Sequence, residues 1–237
     1  MKILSWDIGI KNLSYCILKK EKDEILIKDW DIINLEDEIP VILCSGKCNN
    51  GNNCSKKAIF LSKDKKSGYC RIHYKKINNK NDYKEPKKVK KKKEELIYIG
   101  NKLINKLNEL FGEISEFDNV LLENQPSLKN PTMKSIQMII YSYFLIKGYS
   151  IEPQTVKHIQ MISATQKNKY CNEYCKTNNH IEKPKTKSSY NNSKKLAILV
   201  TEDILNNDTY LDFFKESKKK DDLADSYLQG RQYLLKL

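Results

Sequence analysis

Four acids stand at positions where an acid is costly. Asp7 lies in Lys2-Ile3-Leu4-Ser5-Trp6-Asp7-Ile8, an apolar, β-favouring run that reads as a buried strand closed by the turn at Gly9. Glu123 ends a second such run, Asn119-Val120-Leu121-Leu122-Glu123. Asp222 and Asp225 are three residues apart near the C-terminus and share one face of a helix that Leu223, Tyr227 and Leu228 would anchor in a core. Each has an ordinary explanation. Asp7 can cap the turn beyond it, and acids in a first helical turn suit the dipole. If the second strand lies beside the first, however, all four carboxylates converge, and such a group repels itself without cations. An all-oxygen donor set of several acids favours Mg²⁺ or Mn²⁺ over zinc. Two such ions about 4 Å apart activate a water and stabilise the leaving oxygen in phosphodiester hydrolysis.

A second group has softer donors. Cys44-x3-Cys48-x5-Cys54-x15-Cys70-x2-His73 places five thiol and imidazole ligands within thirty residues and closes on Cys-x-x-His. Zinc takes four such ligands in a tetrahedron, which predicts one structural zinc held by Cys54, Cys70, His73 and either Cys44 or Cys48. Unpaired thiols in a surface loop are the alternative. A third group, Cys171-x3-Cys175-x4-His180, lacks a nearby fourth ligand and reads as thiols on a loop or a helix face.

The elements that must position these groups follow from periodicity. Residues 2–8, 13–19 and 24–33 are three β-rich runs joined by short turns, as in an antiparallel meander. Residues 94–111 repeat apolar residues at helical spacing and stop at Gly112. Asn130-Pro131 suits the start of a helix running to about Lys147, whose stripe through Met133, Ile136, Ile140 and Phe144 serves a core or a dimer contact. Tyr149–Pro153 reads as a further short strand, 154–193 as a polar, flexible, basic stretch near substrate, and Ser193–Leu205 as an amphipathic helix. The insertion at 41–93 ends in the lysine run Lys84–Lys93, a solvated linker or a phosphate-contacting arm.

With 237 residues, an apolar fraction of 39% and a net charge of +13, the chain suits one domain with an insertion and an acidic partner, nucleic acid above all. A Lys- and Asn-rich composition bias accounts for part of that charge. No apolar run spans a membrane and no signal-peptide pattern opens the chain, so an intracellular, reducing location is expected, with the seven cysteines used for metal or left as thiols.

Asp7 in Ser-Trp-Asp-Ile-Gly, Glu123 in Leu-Leu-Glu-Asn-Gln-Pro, and Asp222 and Asp225 in Asp-Asp-Leu-Ala-Asp-Ser together resemble the Holliday junction resolvases of the RuvC-like superfamily, above all those of poxviruses and other large DNA viruses. Asn130-Pro131-x-Met133-Lys134-x-Ile136-Gln137 is similar to the same members. The resemblance implies an α/β, RNase H-like fold: a mixed five-stranded sheet flanked by helices, built from residues 1–40 and 94–237. The chain departs from the compact bacterial pattern in the insertion at 41–93, which the Cys/His spacing reads as a small zinc-binding element. It implies a homodimer that cuts branched, four-way DNA symmetrically, leaving 5′-phosphate ends, with Asp7 shared by two Mg²⁺ or Mn²⁺ ions and Glu123, Asp222 and Asp225 completing their coordination. Asp221 then supports the pair, and Lys187, Lys194 and Lys195 are candidates for phosphate contacts. The acids report the reaction and not the substrate's shape, so a nuclease for flaps, forks or RNA–DNA hybrids stays open. So does a zinc-containing nucleic-acid-binding protein without catalysis.

Overall fold

The structure, a computed structural model, describes residues 1–36, 42–64, 66–85, 95–112, 116–128, 130–184 and 188–237. The chain divides into two compact units, Met1–Glu36 with Glu95–Leu237, and Asp37–Glu94. Most of the lysine run at 84–93, and Lys187, lie outside the described residues.

The larger unit opens with the meander that the alternating apolar residues predict: β1 (Lys2–Asp7), β2 (Leu13–Glu21) and β3 (Glu24–Ile33), each antiparallel to the next. In the insertion come β4 (Phe60–Ser62), β5 (Gly68–Tyr69), the short helix α1 (Arg71–Tyr74) and β6 (Tyr83–Lys84). The larger unit resumes with α2 (Leu96–Phe111), β7 (Phe117–Glu123), α3 (Pro131–Phe144), β8 (Val156–Ile162), α4 (Ala164–Thr177), α5 (Ser189–Ile204), α6 (Tyr210–Glu216) and α7 (Lys220–Leu235). Its five-stranded sheet has the order β3-β2-β1-β7-β8. β7 runs parallel to β1, with Trp6 opposite Leu122, and β8 runs parallel to β7. The mixed five-stranded sheet is the one expected.

Side-chain alternation along the strands separates two cores. Leu4, Trp6, Tyr15, Val120 and Leu122 face α2 and α3, where Leu103, Leu107, Ile136 and Ile140 meet them. Ile3, Cys16, Leu18 and Leu121 point the other way and pack with residues of α4, α5, α6 and α7. Asp7 has the parity of Ile3 and Ser5, and Glu123 that of Leu121. Both acids therefore leave the strand ends on the side that α7 covers.

Two expectations are corrected here. Tyr149–Pro153 is not a strand: α3 continues into a π-helical turn, Leu145–Tyr149, and the strand begins at Val156. The stretch from 154 is not simply a flexible segment, because it forms β8 and α4. β8 is an edge strand in which only Val156 and Ile162 are buried, so its Lys, His and Gln residues hide the strand pattern.

Helix α7 is bound to the sheet by polar groups as well as by packing. Ser226 Oγ and Ser14 Oγ lie 2.7 Å apart, and Gln229 Nε2 donates to Ser5 Oγ at 3.1 Å and to the Trp6 carbonyl at 3.2 Å. Trp30 Nε1 donates to the Leu223 carbonyl at 3.1 Å while its ring stacks on Phe214. Gly230 permits the close approach: a Cβ there would lie 2.8 Å from Leu18 Cδ1 and 3.0 Å from Ser5 Cβ. Gly230→Val is expected to destabilise the protein by about 2 kcal/mol, since overpacking a tight contact outweighs the helix propensity gained. Urea unfolding measures it, and an unchanged midpoint would remove this contact as the seat of α7.

Candidate active site and metal centre

Asp7 is the last residue of β1 and Glu123 the last of β7, and because these strands are parallel neighbours their carboxyl ends lie side by side. Asp222 and Asp225 occupy the first turns of α7, one turn before the Ser226 and Gln229 anchors. All four line one cavity of about 500 Å³, together with Gln125, Lys167 and Lys194. The expected convergence of the four acids is thus present in the geometry.

Electrostatics in the cavity follow from burial of like charges. Burial raises the Asp7 carboxyl well above its ordinary value, and Asp225 and Glu123 raise it further. Burial also raises Asp225, against the pull of Lys167, and raises Asp222, with Asp221 adding to the effect. Gln125 Nε2 donates to Glu123 Oε2 at 3.0 Å and holds that side chain. Asp222 Oδ2 is buried without a hydrogen-bond partner among the described residues, its nearest cation being Lys219 Nζ at 3.8 Å. A buried carboxylate oxygen left unbonded among three further acids is the donor set that a hard divalent cation satisfies. The residues present therefore fit Mg²⁺ or Mn²⁺.

Sequence reasoning missed Lys167. Its ammonium lies 2.7 Å from Asp225 Oδ2, and both side chains are largely buried. Burial alone would lower it, yet Asp225, Asp7 and Glu123 together reverse that and raise it. A signal existed, since Lys167, Cys171 and Cys175 are spaced four apart and thus share a helix face, and Ser163 is a good N-cap. Lys194 also lines the cavity, and its Nζ lies 2.5 Å from Asp221 Oδ2. That ion pair lowers Asp221 despite its burial. Lys195 lines a different groove, beside Glu182, Lys183 and Leu199. Cys171 and Cys175 are buried in the core, and His180 turns to Asp203 at 2.7 Å, so this third group does not converge.

In the smaller unit Cys44, Cys54, Cys70 and His73 have donor atoms within 4.8 Å of one another, and all four are buried. Cys44 Sγ and Cys70 Sγ lie 3.2 and 3.5 Å from His73 Nδ1. Zn–S and Zn–N lengths place tetrahedral neighbours roughly 3.6 Å apart, so the donors fit zinc. Cys48 is exposed at the tip of a tight turn closed by Cys48 N–H to Asn52 and Gly51 N–H to Cys48, with Gly51 at φ +81°, and it lies outside the group. Burial opposes ionisation of Cys70, yet the N–H groups of His73 and Ile72 and the Cys44 side chain bring its thiol down to about 6.

A pH dependence follows from the raised carboxyls. Above their ordinary value of 3.8 the folded state holds protons that the unfolded state has released, so stability without divalent metal falls as pH rises. Lys167→Met removes the compensating cation, and breaking such a buried pair costs about 3 kcal/mol once both carboxyls ionise. Thermal unfolding without added divalent metal is expected to show a larger loss for this variant at pH 8 than at pH 5. Equal losses at both values would mean that Lys167 does not balance these acids.

Residues 3–217 match the family described as mitochondrial resolvase Ydc2 / RNA splicing MRS1. The chain is similar to protein L451 of Acanthamoeba polyphaga mimivirus, 32% identical over 314 aligned residues that cover 99% of this chain and 74% of the viral protein. Among solved structures, yeast mitochondrial Holliday junction resolvase Ydc2 superposes with a TM-score of 0.51 at 16% identity, over 98% of this chain and 78% of its own. Fowlpox virus resolvase, solved with Holliday junction DNA, gives 0.51 at 19% identity, over 100% and 98%. The match along almost the whole sequence and the shared mixed sheet lead to one assignment: this chain belongs to the Ydc2/MRS1 resolvase family and has its RNase H-like fold.

Proposed function

We propose that this protein is a metal-dependent endonuclease that resolves four-way DNA junctions. The observation that carries the proposal is the cavity at the ends of β1 and β7, where Asp7, Glu123, Asp222 and Asp225 meet around an unbonded carboxylate oxygen. Those residues would hold two Mg²⁺ or Mn²⁺ ions, which supply an activated water and stabilise the leaving oxygen, giving 5′-phosphate and 3′-hydroxyl ends. Asp7, at the end of β1 beside Glu123 and facing Asp225, would contribute to holding both ions. Gln125 orients Glu123. Lys167 offsets the charge of the acids, and Lys194 beside the cavity is placed for a phosphate. Lys195 and Lys187 stay as candidates for contacts farther along the strand. A four-way junction has two equivalent cutting positions, so the protein acts as a homodimer with one such cavity per chain.

The family description joins a resolvase to an RNA splicing protein, so a non-catalytic nucleic-acid role is the second reading. Two strand-end acids and a helical pair gathered in one cavity favour catalysis, because a binding protein has no use for their mutual repulsion.

We further propose that Cys44, Cys54, Cys70 and His73 hold one structural zinc. Apart from Tyr69 packed against them, the three cysteines are the buried apolar cluster of that unit among the described residues, so the metal supplies the folding energy. With Cys48 outside the group, all seven cysteines unpaired and a metal centre built on thiols, a reducing intracellular location fits.

Cleavage of a labelled synthetic four-way junction in Mg²⁺ tests the first proposal, with linear duplex, flap and RNA–DNA hybrid alongside. Paired symmetric nicks on the junction are expected. Asp7→Asn is expected to keep junction binding while lowering cleavage by at least ~10³-fold, the scale of losing a group that acts on the transition state. Undiminished cleavage in that variant would displace the active site, and binding without cutting by the unaltered protein would favour the second reading. Metal analysis tests the zinc site: about one equivalent per chain is expected, lost in Cys70→Ser and retained in Cys48→Ser. Retention in both variants would refute the assigned ligands.

A further inference from the structure

The positive charge of this protein is not spread over it. Residues 37–94 hold seventeen of the lysines and arginines against six acids, so eleven of the thirteen net charges sit in a quarter of the chain. The remaining 179 residues, which carry the candidate active site, are close to neutral. Yet polyanion affinity depends mainly on the number of phosphates that cations neutralise. The larger unit has the acids for chemistry, and its 26 lysines and arginines are set against 24 acids, so its net field for a polyanion is weak. Several of its lysines are already spent on its own acids, as Lys167 is on Asp225, Lys194 on Asp221 and Lys220 on Glu202.

The insertion is the reverse. Its described residues include ten lysines and arginines, all exposed, and none of them is in an ion pair among the described residues. Five are tied in sequence to the candidate metal ligands. Lys56 and Lys57 follow Cys54 within three residues, Arg71 lies between Cys70 and His73, and Lys75 and Lys76 follow His73 within three residues. The backbone ties them too: Cys44 N–H donates to the Lys56 carbonyl at 2.8 Å, Lys57 bridges Leu43, and Lys76 N–H donates to the His73 carbonyl at 3.0 Å. A unit whose buried cluster is three cysteines holds these cations at fixed spacing only while the four ligands stay together.

We infer that the insertion is the protein's principal nucleic-acid-binding surface: a metal-ordered array of cations that holds duplex DNA by its phosphates without reading sequence. The inference rests on the zinc proposal, and it goes beyond the junction-cutting proposal, because a surface that reads backbone serves the straight arms as well as the branch point. DNA is the polyanion chosen because the chain belongs to a resolvase family. Double-stranded RNA is the alternative that the test separates.

The experiment is a salt titration of binding by the full chain in an Asp7→Asn background, using a four-way junction, a plain DNA duplex and an RNA duplex. Lys56→Gln, Lys57→Gln, Lys75→Gln and Lys76→Gln are combined in one variant, and Lys28→Gln, Lys147→Gln, Lys176→Gln and Lys215→Gln in a charge-matched control on the larger unit. The first variant is expected to retain its zinc and to weaken junction and duplex DNA alike, by about tenfold or more near 0.1 M salt. Its log–log salt slope should be shallower by roughly 0.9 for each phosphate no longer neutralised, up to about 3.6. Gly46→Ala keeps every charge but sets a Cβ 2.3 Å from His73 Cγ. It is expected to lose the metal and show the same weakening. The inference is overturned if the first variant keeps its slope, if the control weakens binding equally, or if only RNA binding changes. Loss of zinc from Gly46→Ala with unchanged DNA affinity would overturn the role of the metal. Failure of the junction-cutting proposal would show separately, as absence of nicks by the chain with Asp7 intact while these slopes persist.

Discussion

Buried like charges are the constraint on which this fold turns. Four half-buried carboxylates at one end of a sheet repel one another, and burial weakens the screening that water gives. They stay together because elements with no other freedom carry them. β1 and β7 are parallel neighbours with Trp6 opposite Leu122, which leaves Asp7 and Glu123 no alternative to adjacency. α7 is tied to β1 by Gln229, to β2 by Ser226 and to β3 through Trp30. The Lys167 ammonium beside Asp225 lowers the cost. Stability is thus given up locally at the strand ends, and the packing behind them offsets it.

The two units divide the work in physical terms. The larger one has two apolar cores on the faces of one sheet, sufficient to hold like charges together. The smaller one has a three-cysteine cluster and a skin of cations, and the zinc proposed for Cys44, Cys54, Cys70 and His73 would order so little apolar surface. The proposed active site thus lies in a near-neutral unit and the proposed zinc in a strongly basic one, an arrangement in which chemistry and affinity would vary separately.

Much of this was legible in the residues. The meander and the helices beginning near 96 and at 131 follow from clean periodicities, and the five-stranded sheet from the resemblance that the four acids carry. Each buried strand announces itself because both of its faces demand apolar side chains, as in Leu4 and Trp6 on one side and Ile3 on the other. β8 and α4 were obscured for the same reason in reverse. An edge strand buries only its ends, and α4 presents a narrow inner face made of Lys167, Cys171 and Cys175, which in composition look polar and reactive. With α4 unread, the lysine that balances the acids went unread too.

The sequence by itself determined the inventory: two acids at the ends of apolar strands, an Asp-x-x-Asp pair on one helix face, and a run of thiol and imidazole donors at metal-ligand spacing. Those are local properties, set by neighbours within a turn or a strand. Only the tertiary structure decided which donors meet. It chose Cys44 over Cys48 because the chain turns tightly at Gly51 and leaves Cys48 outside. It separated Cys171 and Cys175 from His180, since burial in the core claimed the thiols and Asp203 claimed the imidazole. It set Lys167 against Asp225, across 58 positions of sequence, because helix packing on a sheet brings together residues that no local rule relates.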